Sequence, residues 1–164
     1  MAIWQHSWTI VPLTPDFGHR YTVFNNQEST AYLKESDIFW AGSDIDISAL
    51  ISKIDHILPR AYYTSTDNPC WKSGGTNAED NDCQIFINEG EIMSMRFRID
   101  VRYPVNISKC LHFLIDLCTE FGLTLINTKY QHIQPQLQDL VNDVTQSSAA
   151  AFLKDPHAFL DSLD

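Results

Sequence analysis

Between Glu91 and Tyr103 the chain alternates strictly. Met93, Met95, Phe97, Ile99, Val101 and Tyr103 are apolar, and Ser94, Arg96, Arg98, Asp100 and Arg102 fill the places between them. A period of two belongs to a β-strand with one buried face and one that is not. Gln84 to Asn88 is a shorter β-rich arm, and Glu89-Gly90 suits a tight turn. The stretch from Cys83 to Pro104 therefore predicts one β-hairpin, whose apolar face needs helices to cover it.

Those helices are legible on either side. Ile47, Leu50, Ile51, Ile54 and Leu58 recur at helical spacing, with Ser43 to Asp46 able to cap the start and Pro59 to stop the run. A second stripe runs through Ile107, Cys110, Leu111, Leu114, Leu117, Cys118 and Phe121, with a cap expected at Asn106 or Ser108 and Gly122 at the C-terminal cap. Leu123 to Ile126 reads as a buried strand and Asp37 to Trp40 as a short apolar one. The order is then strand, helix, strand, strand, helix, strand. This predicts an α+β, ferredoxin-like fold: a four-stranded antiparallel sheet with two helices on one face. Upstream, Trp8-Thr-Ile-Val and Tyr21 to Phe24 are β-rich fragments, so residues 1–35 are expected to extend a core at 36–127. Gln134-Pro135, Ser147 to Leu153 and Asp155-Pro156 open turns of helix, giving a helical tail at 134–163. At 164 residues the chain suits one domain.

Charge narrows the function classes. Twenty-one acids oppose eleven Lys and Arg, for a formal charge of -10. Such a field disfavours nucleic acid and anionic lipid and favours encounter with a cationic protein. No stretch is long enough to span a bilayer and no export signal opens the chain, so the expected site of action is the cytoplasm. Cys70, Cys83, Cys110 and Cys118 form no C-x-x-C pair. Cys110 and Cys118 suit a core, and Cys70 and Cys83 flank a polar loop that could bring them together.

Candidate chemistry is sparse. The six histidines have no metal-ligand spacing, and nucleophile-elbow, Walker and dinucleotide motifs are absent. No catalytic residue, metal or cofactor is therefore assigned. Arg96, Arg98, Asp100 and Arg102 form the densest charged array, either an anion-binding or docking ledge or a set of cross-strand ion pairs, and the pairs are favoured in so acidic a chain. Glu79, Asp80, Asp82, Glu89 and Glu91 border the hairpin as a solvated loop or a docking surface. Tyr62, Tyr63 and Trp71 in the long loop from Arg60 to Asn81 are candidate exposed aromatic anchors or a lid over the sheet.

Several short motifs carry a family resemblance. Leu58-Pro59-Arg60 follows a helix, Asn81-Asp82 opens a strand and Arg98-Ile99-Asp100-Val101-Arg102 closes one. The tail reads Ser147-Ser-Ala-Ala-Ala-Phe152-Leu-Lys-Asp155-Pro156-His-Ala-Phe159-Leu160. Over its last two-thirds the chain resembles small bacterial immunity proteins encoded beside polymorphic toxins of contact-dependent or type VI secretion systems. The resemblance implies a non-enzymatic protein that binds one cognate toxin and occludes its active site. The acid excess agrees, since a nuclease-like toxin is basic. A homodimer, a small-ligand-binding regulatory domain and a small hydrolase are the other expectations.

Overall fold

In the computed structural model, which describes residues 3–27, 36–73 and 80–161, the hairpin lies off the centre of a larger sheet. Its arms are β3 (Asp82–Asn88) and β4 (Glu91–Asp100). Glu89 and Gly90 both take positive φ, 51° and 84°, which matches the turn to the twist of the strands. β4 stops at Asp100 rather than at Tyr103. The Asp100 carboxylate accepts the backbone N–H of Arg102 at 3.0 Å and turns the chain away from the ladder. Pro104 then opens the long helix α4 (Pro104–Phe121) at its first turn, with Tyr103 rather than Asn106 or Ser108 at the cap. Gly122 ends the helix in the left-handed region, φ 62°.

The sheet has six strands, not four. Its order is β2-β3-β4-β1-β5-β6, and every neighbouring pair is antiparallel. Here β1 is Gln5–Pro12, β2 is Cys70–Lys72, β5 is Leu123–Asn127 and β6 is His132–Ile133. The N-terminal strand is thus interior, hydrogen-bonded to β4 on one side and to β5 on the other. Residues before 36 include a central strand of the core and are not an extension of it.

Two further expectations are corrected. Tyr21 to Phe24 belongs to α1 (Phe17–Asn26), because Phe17, Tyr21 and Phe24 recur at helical spacing and face inward together. Asp37 to Trp40 is a single helical turn, α2, that buries Phe39 and Trp40. The helix α3 (Ile47–Asp55) forms as its pattern predicts. The Asp46 carboxylate accepts the Ala49 N–H at 3.0 Å, and Leu50 and Ile54 are fully buried.

Side chains paired across the ladder share a face. One face carries Trp8, Ile10, Cys83, Ile85, Met95, Phe97, Ile99 and Leu125, all fully buried. It packs under α4, with the rings of Phe97 and Phe113 5.9 Å apart. Burying each such large side chain stabilises the fold by about 1.5–3 kcal/mol. The tail adds α5 (Leu137–Thr145), α6 (Ser148–Lys154) and α7 (Pro156–Asp161). The Asp143 carboxylate of α5 accepts from Trp8 Nε1 and Asn127 Nδ2, both at 2.7 Å, and lies 2.8 Å from His6 Nε2. These bonds lock the tail to β1 and β5. The other face carries Gln5, Ser7, Thr9, Asp82, Gln84, Phe86, Ser94, Arg96, Arg98 and Asp100. Cys70 shares that face and Cys83 the opposite one, so alternation points their thiols apart, and all four cysteines are free and buried.

Candidate functional site

The polar face divides into two ends. At the first, every charge has a partner. Arg98 Nε donates to Asp82 Oδ1 at 2.7 Å across the β3–β4 ladder. Arg102 Nη2 donates to Asp100 Oδ2 at 2.6 Å, and its guanidinium lies 4.5 Å from the centre of the Trp4 ring. Asp100, fully buried, also accepts the Asp80 N–H at 3.0 Å, while its own N–H donates to Asn81 Oδ1 at 2.7 Å. Gln5 Nε2 reaches Asp82 Oδ2 at 3.3 Å. Burial pushes the Asp82 carboxyl above its usual range despite Arg98. Burial acts the same way on Asp100, but Arg102 and two backbone N–H groups outweigh it and hold that carboxyl low. Asn81, Asp82, Arg98, Asp100 and Arg102, scattered in sequence, are therefore one internal network.

At the second end the face opens into a cleft of about 440 Å3. Thr9, Gln84, Phe86, Ser94 and Arg96 line it from the strands, and Phe24, Ser36, Asp37 and Tyr130 line it from the elements above. Arg96 lies opposite Gln84 on β3 and Thr9 on β1, and neither can neutralise it. Among the described residues its guanidinium makes no ion pair or hydrogen bond. Burial, and then the neighbouring Arg98 charge, make its protonated form less favourable than usual, only partly offset by Asp82. Asp37 turns its carboxylate to the Ile38 N–H, 2.9 Å away.

The other candidates fall apart in space. Trp71 is fully buried and is not an exposed anchor: its Nε1 donates to Asp55 at 2.7 Å and Arg60 stacks on its ring at 4.5 Å. Its strand position, paired with Cys83, turns it into the core. Tyr62 is 99% exposed and packs edge-on against Tyr63, 50% exposed, beside β2. The pair stands off the sheet and forms no lid. Glu89 and Glu91 are exposed at the hairpin tip, near Asp67, whose carbonyl accepts the Ile87 N–H at 2.8 Å. Asp80 is tied to Lys72 at 3.0 Å and Asp82 is internal, so the acidic border is not a continuous surface. Glu79 lies outside the described residues.

Four of the six histidines, His6, His56, His112 and His132, make side-chain hydrogen bonds within the fold. His56 and His112 each meet a carbonyl one turn back on their own helices, Ser52 and Ser108. His132, whose imidazole burial disfavours the protonated form, sits 2.7 Å from Thr124 Oγ1 beneath Phe17. No cluster of three or more His, Cys, Asp or Glu suited to a metal occurs among the described residues. No described helix is long and apolar enough to cross a membrane. Sequence reasoning missed Thr9, Gln84, Phe86 and Ser94. Their signal is register: they become neighbours of Arg96 only once β1 and β3 are laid against β4. No family model matches the chain, and neither a curated protein nor a solved structure is significantly similar to it.

Proposed function

We propose that this protein acts by binding another protein, a cationic one, and carries out no reaction of its own. The observation that carries the reading is Tyr62, which is 99% exposed and packs edge-on against a second exposed tyrosine, Tyr63. Rigid aromatics held in solvent are the residues that most often anchor an interface. The charge distribution supports it. Six of the eleven Lys and Arg are paired with carboxylates of this same chain: Arg20, Lys53, Arg60, Lys72, Arg98 and Arg102. The acid excess is left facing outward at Asp44, Asp67, Glu89, Glu91 and Asp116.

An immunity protein that neutralises a basic, nuclease-like toxin by occluding its active site is the setting the sequence motifs suggest. We also read the inner sheet as ferredoxin-like. The order β3-β4-β1-β5, with crossings through α3 and α4, supports that arrangement, and β2 and β6 then extend its two edges.

The test is a titration against the product of the neighbouring reading frame. A stable stoichiometric complex is expected. Tyr62→Ala should weaken it at least about tenfold, mostly through faster dissociation. Glu89→Gln with Glu91→Gln should slow association and flatten its salt dependence. No complex, or a complex indifferent to Tyr62, overturns the proposal. A small-ligand role is the second reading, and the cleft at Arg96 favours it.

A further inference from the structure

The cleft on the polar face is built differently from the rest of the molecule. Charged groups removed from water are ordinarily paired, because an unpaired one is costly. Arg98 on the same strand and Arg102 just beyond its end obey this rule. Arg96 does not, although it is half-buried and shares its face with Arg98. Around it stand the Thr9 and Ser94 hydroxyls and the Gln84 amide. Among the described residues none of these three side chains is hydrogen-bonded to protein. A planar guanidinium flanked by these neutral groups matches an oxyanion, which it can hold through two parallel hydrogen bonds, while the Asp37 carboxylate in the same lining is turned to the Ile38 N–H. Beyond the polar floor the lining turns apolar, with Phe86, Met93 and Phe24. The volume of about 440 Å3 falls in the range of small-molecule sites.

We propose that this cleft binds a small organic anion, its carboxylate or phosphate head paired with Arg96 and its apolar body against Phe86 and Met93. The site is separate from the Tyr62 surface, and neither proposal depends on the other.

Three probes decide the matter on the full chain labelled with 15N: phenylacetate, phenyl phosphate and the neutral benzyl alcohol. Either anion should give saturable shifts at the amides of Thr9, Gln84, Ser94 and Arg96, and the tighter one identifies the head group. Benzyl alcohol should bind at least about tenfold more weakly, the loss of one charge-assisted contact. Arg96→Gln should weaken both anions by a similar factor while Arg96→Lys keeps part of the affinity. Phe86→Ala should weaken phenyl phosphate but leave inorganic phosphate unchanged. The proposal is overturned by the absence of saturable shifts at millimolar anion, by equal affinity for benzyl alcohol and the anions, or by full affinity in Arg96→Gln. The comparison of probes on the unaltered chain stands even if a variant does not fold.

Discussion

Arg96 and Arg98 sit two residues apart on one face of one strand, and the molecule treats them in opposite ways. Across the ladder from Arg98 the register brings Asp82; across from Arg96 it brings Gln84 and, on the other side, Thr9. One arginine is consumed in holding the sheet together and the other is held out into a cleft. A row of alternating arginines is thus neither a ledge nor a set of pairs until the neighbouring strands are known. The sharpest way to break the contrast is Arg98→Gln. It leaves Asp82, whose side chain is 5% exposed, as an uncompensated buried carboxylate. The expected loss is about 3–5 kcal/mol in urea unfolding. Adding Asp82→Asn should restore a large part of it, since the two changes are strongly coupled. A loss below about 1 kcal/mol would mean that the pair is not structural, and the contrast would lose its first half.

A second internal carboxylate extends the same logic to the tail. Burial pushes Asp143 up, but the bonds from His6, Asn127 and Trp8 more than offset it and hold the carboxyl below its usual range. The unfolded chain therefore takes up this proton at a higher pH than the folded one. Its stabilisation is complete above the unfolded value, about 4, and is lost as pH falls through the folded value. Asp100 and Asp55 act in the same direction, and Asp82, held high, acts against them. Asp143→Asn replaces an acceptor of three bonds by a group with one acceptor oxygen and two unwanted donors. It should cost about 2–3 kcal/mol at neutral pH. It should also make the melting temperature fall less steeply between about pH 5 and pH 3. An unchanged acid slope would show that Asp143 does not drive acid unfolding.

What the sequence disclosed follows from the range over which each signal acts. The hairpin, α3, α4 and the tail were legible because their signals are local: a period of two, a period of 3.6, Asp46 as a cap, Gly122 past a helix end. Asp37 to Trp40 was misread because three apolar residues in a row have no period, so a helical turn and a short strand look alike. The central place of β1 was not legible because pairing partners are chosen across the fold and leave no mark on the strand itself. The same holds for the cleft. Arg96 stood out by its charge, but Thr9, Gln84 and Ser94 are unremarkable until the register gathers them. Trp71 was expected as an exposed anchor or part of a lid because a large aromatic in a long loop often binds a partner, yet the pairing of β2 with β3 carries it into the core.

The smallest expected effect tests the other half of the contrast. Most substitutions of a half-buried arginine destabilise, through lost packing and a lost ion pair. Arg96 has no ion pair to lose among the described residues, and it stands close to the like charge of Arg98. Replacing it by Gln keeps the stem and a polar end while removing the charge that burial disfavours. In buffer without a carboxylate or phosphate, Arg96→Gln should therefore leave stability unchanged or raise it by up to about 1 kcal/mol. With phenyl phosphate present the order should reverse, because only the unaltered chain gains from an anion that binds the folded state. Destabilisation by Arg96→Gln that persists without any anion would mean that Arg96, like Arg98, belongs to the scaffold, and the two ends of the polar face would then be alike.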